Sequence, residues 1–375
     1  MQNFEDIIKD KKILFVTSKN LDYIRNTQEI KIIEEQASEY KVIGLKSTSY
    51  VKRVLYTYIK LLFTSFSEYD YIFIGFAPQL YFPFFPFIKK EKLIIDFFIS
   101  MYDTFVDDRK KVSKESFVAK LFYKIDRYVL KKAKYVICDT KAHRDYFIKE
   151  FNAAKEKFFV IYIIADTSIY DPKKYPQKVR NPEALDVLYF GSILPLQGIE
   201  VILDTMKQLK DDKRIKFTII GPIGNKYNID DNDYPNTRFI SWLSQEELAS
   251  EIAKADICLA GHFNGSIGKA NRTIAGKTYI YKAMNKPVVL GDSDANRELF
   301  EEDEMNYYVE MGNSMQLVNC ILKCLIFTVL CCITYFFTHS NVFSKTLLLQ
   351  KAFQNYVLFL RLSSKIGRLF SVFHV

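Results

Sequence analysis

The chain has 375 residues, of which 49% are hydrophobic and 26% are charged, and its formal net charge is +9. This length allows two domains with separate cores, and the apolar content excludes a disordered chain. The excess of basic residues favours anionic partners such as phosphates or an acidic membrane surface. We do not expect a nucleic-acid partner, because no basic run with interleaved aromatics stands out as a docking element for nucleic acid.

The amino terminus, MQNFEDIIKD, has acids where a secretion signal has a basic region followed by an apolar run. We therefore expect a cytoplasmic protein. Four of the six cysteines crowd the stretch 320–332, and no pair has zinc-ligand spacing with histidine partners. We expect neither a disulfide framework nor a metal site.

Short apolar runs alternate with helical patterns in the first half of the chain. The runs predict strands at Lys12–Thr17, Tyr40–Leu45, Tyr71–Gly75, Leu93–Asp96, Tyr135–Cys138 and Phe159–Ile164. Helical patterns cover Ser116–Ala133 and Lys141–Phe151. Continuous apolar strands separated by helices predict a parallel sheet that is covered on both faces.

The proline-rich segment Asp166–Pro182 interrupts this alternation and predicts a linker. The strand and helix patterns then restart, and Ser244 with Glu247 forms a capping-box signature before the helix Gln245–Lys254. We predict a domain over 1–168, a linker over 169–184 and a second domain over 185–315. Two doubly wound α/β domains in series can form a cleft at the carboxyl ends of their strands, where ligands bind in such folds.

Residues 316–375 form an atypical apolar tail. No Asp or Glu follows Glu310, and Lys323 is the only charged residue between Leu317 and Phe337. That stretch would span about 30 Å as a helix, which is the thickness of a bilayer core. Three interpretations stay open: a membrane anchor followed by an interfacial helix, a helix packed against the domains, or an aberrant reading frame.

A glycine-rich basic segment, GHFNGSIGKANRTIAGKTYIYKAMNKPVVLGDSDANRELF, begins at Gly261. Lys269, Arg272 and Lys277 lie close together in it, before and at the start of a predicted helix. Arg binds phosphate oxygens bidentately, Lys supplies a compact charge, and helix N–H groups favour anions. The segment suits a diphosphate that gains negative charge as a sugar departs. The alternative is a surface loop with solvated charges.

A second glycine-bearing turn, VLYFGSILPLQGI, follows a predicted strand. Gly191 at the strand end allows close approach of a phosphate or ribose, and Gly198 precedes a helix. The alternative is an ordinary strand-to-helix turn.

The order FGSILPLQGIEVI, KFTIIGPIGN and GKANRTIAGKTYIYKAMNKPVVLGDSDANRELF resembles the retaining glycosyltransferases of family 4, which have the GT-B fold. IIDFFISMYDTFVDDRKKV and KIDRYVLKKAKYVICDTKAHRDYF resemble the acceptor domain of members that build surface polysaccharides. The resemblance covers most of the chain. It implies sugar transfer from a nucleotide-diphosphate donor, bound by the second domain, to a glycan or lipid-linked acceptor at the inner membrane face, without a cofactor or metal.

The resemblance implies donor-binding residues in the second domain. They are Gly191, Ser192, Lys269, Arg272, Lys277, Tyr279 and Ile280. Two further donor-binding candidates follow from position: Gly198, just ahead of a helix, and His262, at a strand end beside the glycine-rich segment. Three departures from the family pattern stand out. Arg272 falls where the common pattern has a Glu, eight positions before a second Glu. Ile280 occupies a position where many members have a ribose-binding Glu, and Ser192 and Gln197 stand where many have basic residues.

Asp96 ends a predicted strand and Asp103 follows on a loop, so either carboxylate can orient or deprotonate an acceptor hydroxyl. The alternative for Asp96 is a helix cap or a loop hydrogen bond. Asp139, at the next strand end, is a weaker candidate. We expect His143 to lie on a solvated helix face.

The stretches Tyr50–Phe66 and Leu80–Lys92 mix aromatics with Lys and Arg, which fits a surface resting on anionic lipid. Core aromatics with lysines that reach solvent are the alternative.

Other functions stay open. A catalytically inactive GT-B homologue that binds a nucleotide or glycan is one, and a sugar-nucleotide epimerase is another. An NAD-dependent oxidoreductase is disfavoured because no G-x-G-x-x-G follows the first strand.

Overall fold

The chain folds into two compact units, each built on a parallel six-stranded sheet. The structure is a computed structural model that describes residues 3–176, 181 and 184–339. The first unit contains the chain up to Ser168 together with Asn264–Ile280 and Asp292–Glu301. The second contains Ile169–Phe263, Tyr281–Gly291 and the chain from Glu302 onward. The predicted fold class, two doubly wound α/β domains, is confirmed.

The first sheet has the strand order β2-β1-β3-β4-β5-β6, and the second has the order β12-β11-β10-β7-β8-β9. The strands are β1 (Lys12–Val16), β2 (Glu39–Ile43), β3 (Tyr71–Ile74), β4 (Leu93–Asp96), β5 (Tyr135–Cys138), β6 (Phe158–Val160), β7 (Leu185–Phe190), β8 (Ile215–Ile220), β9 (Thr237–Ile240), β10 (Ile257–Gly261), β11 (Val288–Gly291) and β12 (Asn306–Val309). Each order reverses direction once, as expected of a doubly wound sheet.

Most of the helices connect successive strands, whereas the first precedes β1 and the last follows β12. They are α1 (Phe4–Ile8), α2 (Ile24–Gln36), α3 (Tyr50–Leu62), α4 (Phe117–Lys132), α5 (Lys141–Phe151), α6 (Ile199–Gln208), α7 (Gln245–Lys254), α8 (Gly268–Arg272), α9 (Gly276–Ala283), α10 (Asp294–Arg297) and α11 (Ser314–His339). A 3₁₀ segment covers Pro78–Phe87, and a π-helical turn covers Asp103–Asp108. The predicted capping box forms at the start of α7, between Ser244 and Glu247.

Both faces of the first sheet are covered, as the continuous apolar strands predict. On one face, α1 and α2 pack over Phe15 and Phe73. On the other, α3, the 3₁₀ segment, α4 and α5 pack over a core that includes Leu14 and Ile72. Because strand side chains alternate between faces, neighbouring residues of one strand supply the two cores.

The start of the tail belongs to the core of the second unit. Leu317, Ile321 and Leu325 on α11 are buried in the cluster that also contains Ile202 and Met206 of α6. For this part of the tail, these contacts therefore favour the second of the three interpretations, a helix packed against a domain. In the part of the chain that the structure describes, no helix is both long enough and apolar enough to cross a membrane. The predicted interfacial helix over 346–373 lies outside the described residues.

Candidate active site

The π-helical turn Asp103–Asp108 brings Asp103 into the interior of the first unit. Asp126 on α4 fixes the approach to this turn, because its carboxylate accepts hydrogen bonds from the Ser100 hydroxyl and from the Tyr102 backbone N–H, at 2.7 and 2.8 Å. Ser100 Oγ in turn accepts the backbone N–H of Asp103 at 3.0 Å. Burial raises the pKa of Asp126 to about 6. Single π-helical turns of this kind recur at functional sites.

Arg272 is held against Asp103 by contacts on several sides. Its Nη2 donates to Asp103 Oδ1 at 2.6 Å, and its guanidinium carbon lies 3.7 Å from the centre of the Tyr146 ring. The Thr140 hydroxyl donates to the carbonyl oxygen of Arg272 at 2.5 Å. A Cβ at Gly268 would stand 2.8 Å from Nη1, so this glycine leaves room for the side chain. The guanidinium is therefore fixed in orientation before any ligand binds.

Lys269 adds a second cation beside the same carboxylate. Its Nζ lies 4.0 Å from Asp103 Oδ2 and 3.2 Å from the Thr104 hydroxyl. Two cations thus share one fully buried carboxylate at this point. Burial also raises the pKa of the neighbouring Asp108 above its usual range, although the charge of Lys269 acts in the opposite direction. Lys269 and Arg272 place two positive charges beside Asp103, and the carboxyl groups of Asp107 and Asp108 also lie close to these cations.

His143 is fully buried, so the prediction of a solvated helix face is wrong. His143 lies in the first turn of α5, where its backbone N–H donates to the capping Thr140 hydroxyl oxygen at 3.0 Å. His143 Nδ1 lies 2.7 Å from Asp139 Oδ1, and Nε2 lies 4.0 Å from Asp103 Oδ2. Burial alone would raise the pKa of Asp139, but the charge of His143 and its hydrogen bond lower it below the usual value.

Four polar atoms of this cluster are buried and make no hydrogen bond with the described part of the chain. They are Asp103 Oδ2, His143 Nε2, Tyr146 Oη and Arg272 Nε. Buried polar atoms without partners are rare in folded proteins and are costly. We call Asp103, His143, Tyr146, Lys269 and Arg272 the Asp103 cluster. These unpaired donors and acceptors make the Asp103 cluster the candidate site of the first unit.

Asp96 is engaged in a buried ion pair. Both of its carboxylate oxygens accept hydrogen bonds from Arg25, whose Nη2 lies 2.7 Å from Oδ1. Glu29 lies 3.6 Å from Arg25 Nε, and its pKa is raised well above the usual value by burial and by the charge of Asp96. The structure therefore separates the two predicted catalytic carboxylates into different networks. A bidentate partner leaves Asp96 less free than Asp103 to contact an acceptor.

Lys277, Tyr279 and Ile280 lie on the part of α9 that belongs to the first unit. Lys277 is buried, and burial lowers its pKa to about 7. Burial also raises the pKa of Tyr279 above its usual value. Ile280 is partly exposed. Its side chain has no group that accepts hydrogen bonds from ribose hydroxyls.

Gly191, Ser192, Gly198 and His262 lie in the second unit. The segment Asn264–Ile280, which carries Lys269, Arg272 and Lys277, packs with the first unit because α8 contacts α5 and the π-helical turn. The sequence-based expectation assigned all of these residues to one domain over 185–315. The Asp103 cluster joins Lys269 and Arg272 to Asp103 but includes no residue of the second unit.

Two glycines stand at the carboxyl ends of neighbouring strands in the second unit. Gly191 follows β7 and Gly221 follows β8, and both have φ of 147°. A Cβ at Gly221 would stand 2.2 Å from the carbonyl oxygen of Gly191. Tyr281, which sequence reasoning did not select, is fully buried beside them, and its hydroxyl accepts the Phe190 N–H at 3.2 Å. The second tyrosine of the run KTYIYKAM is Tyr281, and that run was the sequence signal that could have identified it.

The loops after β7 and β10 are tied together at the same edge. The Phe263 N–H donates to the Gln197 carbonyl oxygen at 3.2 Å. Gly198, with φ of 66°, is the N-cap of α6. Ser192, in the same loop, is exposed. His262 is buried with a left-handed φ of 55°, and a Cβ at Gly291 would stand 2.6 Å from its carbonyl oxygen. This edge therefore presents backbone groups and few charges.

Gly221→Ala is expected to destabilise the protein by about 1–3 kcal/mol, because the added Cβ must displace the Gly191 carbonyl at a positive φ. Gly224→Ala is the matched control, since a Cβ there meets no atom of the described structure within 4 Å. Urea unfolding of both variants measures the difference. Equal stability of the two variants would show that the two loops move apart easily.

Comparison with known proteins agrees with this architecture. Residues 184–326 match a family model described as glycosyl transferases group 1. That match covers the described second unit from β7 into α11, together with the segments that pack with the first unit. No protein with a curated function matches the sequence.

Several solved structures resemble the whole chain. The complex of Anabaena Alr3699/HepE with UDP has a TM-score of 0.58 and 14% identity, covering 95% of this chain and 100% of that one. Sucrose-phosphate synthase from Thermosynechococcus elongatus has a TM-score of 0.60 and 12% identity, with 96% and 100% covered. WaaG, a glycosyltransferase involved in lipopolysaccharide biosynthesis, has a TM-score of 0.55 and 13% identity, with 91% and 98% covered. The fold is GT-B.

Proposed function

We propose that the protein transfers a sugar from a nucleoside-diphosphate donor to a glycan or lipid-linked acceptor in the synthesis of a cell-surface polysaccharide. The observation that carries this proposal is the Asp103 cluster, in which Arg272 and Lys269 are held beside unpaired buried polar atoms. The GT-B fold and the family match over 184–326 support the same reaction. HepE, which has this fold, was crystallised with UDP.

In this proposal Arg272 and Lys269 stabilise the leaving diphosphate. As the bond between the sugar and the phosphate breaks, negative charge grows on the phosphate oxygens. A guanidinium fixed in advance lowers the barrier because it does not have to reorganise when the charge appears. Arg272 Nε is free to donate within the described structure, and Nη2 remains on Asp103. Lys277, at the start of α9, is the third cation that we assign to the donor.

Asp103 is, in this proposal, a positioning residue for Arg272. Its Oδ1 orients the guanidinium, and its Oδ2 faces His143 Nε2 across 4.0 Å. A ligand hydroxyl placed to one side of the line that joins these two atoms can hydrogen-bond to either one. Retention of configuration and use of the departing phosphate as the base are part of the proposal, and they require no nucleophilic side chain.

Asp103→Asn is expected to lower kcat about tenfold to a hundredfold without raising the KM of the donor. The substitution removes the charge that orients Arg272, but it also removes a negative charge that opposes the diphosphate. Steady-state kinetics separate the two constants, and thermal unfolding of the variant serves as the control for folding. An unchanged kcat in a folded variant would exclude the positioning role.

The proposal is tested by thermal-shift measurements with UDP, GDP, ADP, CMP and NAD. One nucleoside diphosphate is expected to raise the melting temperature, and Lys277→Ala is expected to abolish this shift. Stabilisation by NAD alone would contradict the proposal.

A catalytically inactive GT-B homologue that binds a nucleotide or glycan is the second candidate, because Ile280 cannot hydrogen-bond a ribose. Nucleotide binding without turnover of any donor would favour it. Ile280→Glu is expected to tighten nucleotide binding under either candidate, so it tests whether residue 280 lies at the ribose, whereas donor turnover decides between the two candidates.

A further inference from the structure

Helix α3 turns an apolar face to the solvent. Val51, Leu55, Ile59, Leu62 and Phe63 are 73%, 58%, 48%, 71% and 87% exposed. The first four recur at helical spacing and form one stripe. The opposite side of the helix is anchored, because its buried arginine, Arg53, donates from Nε to the Ser18 carbonyl oxygen at 3.0 Å. The exposed stripe is therefore a fixed feature of the surface.

The two elements beside α3 continue this apolar surface. The 3₁₀ segment exposes Phe82 and Phe87, and α4 exposes Phe117, Leu121 and Tyr128. Tyr58 of α3 packs against Phe84 of the 3₁₀ segment, and Phe85 stacks on Tyr128. All three elements cover the same face of the first sheet, so their outer sides point away from that face together. We call this surface the α3–α4 face.

The charges around the α3–α4 face are mainly basic. No acid occurs between Glu39 and Glu68. Exposed lysines and one arginine accompany the apolar side chains: Lys52, Lys60, Lys89, Lys120, Lys124 and Arg127. Apolar side chains that enter a headgroup layer, with lysines beside them, are the composition of helices that lie in a membrane interface.

We propose that the α3–α4 face rests on an anionic lipid surface. The charge complementarity favours lipid over a second copy of this chain, since a second copy would bring lysines against lysines. It also disfavours an ordinary protein partner, because lysine is depleted in the cores of such interfaces. The proposal does not depend on turnover, but it places the first unit where a lipid-linked acceptor would be presented.

The test is co-sedimentation of the full chain with vesicles of phosphatidylcholine and phosphatidylglycerol, and with vesicles of phosphatidylcholine alone. We expect binding to the anionic vesicles that weakens as salt is raised, since salt screens the lysines. The double variant Leu55→Asp/Leu62→Asp is expected to lose at least about tenfold in apparent affinity, because each change removes apolar insertion and adds repulsion. Trp242→Asp is the matched control, since Trp242 is exposed in the second unit.

Retained melting temperature in the double variant shows that it folds. If wild type does not bind anionic vesicles, or if the double variant binds as well as wild type, the proposal fails. In the second case, residues 340–375 or another surface would carry the binding. If the double variant instead changes only the oligomeric state in solution, the face is an interface between copies of the chain, and the lipid assignment is wrong.

Discussion

Arg272→Ala is expected to lower kcat/KM for the nucleotide-sugar donor by about a hundredfold to a thousandfold, which corresponds to about 3–4 kcal/mol of transition-state stabilisation. The effect is large because the lost guanidinium is held by Asp103 and Tyr146 before the donor binds, while Thr140 holds the backbone carbonyl of Arg272. Removing it also leaves the buried Asp103 carboxylate with only the more distant Lys269 Nζ and His143 Nε2, each 4.0 Å from Oδ2, among the contacts described above. Initial-rate measurements over a range of donor concentrations give the change.

Two further variants sharpen this prediction. Arg272→Lys keeps a positive charge but loses the fork that binds both Asp103 and a phosphate, so we expect only partial recovery of the rate. Arg238→Ala removes an arginine on β9 that pairs with Glu251 at the surface, and its kinetics should equal those of wild type. Wild-type turnover by Arg272→Ala would remove Arg272 from the donor site.

Lys277 is expected to give nucleoside-diphosphate binding a distinct pH dependence. Burial lowers the pKa of its ammonium to about 7, so the protein without ligand loses this charge as the pH rises above neutrality. A bound diphosphate would favour the protonated form, and binding above pH 7 therefore takes up a proton and weakens as the pH increases. Calorimetry in buffers with different ionisation enthalpies measures the proton uptake.

The same pKa predicts the sign of a stability effect. The unfolded chain holds this proton up to about pH 10.5, whereas the folded chain releases it above about pH 7. Because the unfolded state binds more protons between these values, the contribution of Lys277 makes the free energy of unfolding rise with pH in that window. Lys277→Met should remove both this slope and the proton uptake, whereas Lys120→Met, an exposed lysine on α4, should leave both unchanged. Identical proton uptake in Lys277→Met and wild type would assign the pH dependence to another group.

Much of the fold could be predicted from the sequence, because strands and helices depend on local patterns of residues. Continuous apolar runs such as Tyr135–Cys138 become strands with the predicted bounds, and the Ser244–Glu247 capping box forms where it was expected. β12 was missed because its polar and aromatic run, Asn306–Val309, lacks the apolar character of the other strands. The predicted strand Phe159–Ile164 ends earlier, at Val160.

The site was less accessible because its arrangement depends on contacts between residues distant in sequence. Asp103 and Arg272 are 169 positions apart, and no local pattern indicates that they pair. Asp96 looked available at a strand end, but Arg25 of α2 donates hydrogen bonds to both of its carboxylate oxygens. His143 looked solvated because one helix pattern does not reveal which neighbour covers it. In each case the kind of side chain can be read from the sequence, but its contacts depend on tertiary packing between distant segments.

The most direct test of the central claim is the release of nucleoside diphosphate from a panel of UDP-, GDP- and ADP-sugars, with and without glycan acceptors. We predict that wild-type protein releases one nucleoside diphosphate, that an acceptor accelerates the release, and that Arg272→Ala loses most of it. If a nucleoside diphosphate binds but no donor is turned over under any of these conditions, the protein is a binding homologue and the assignment as a transferase is wrong.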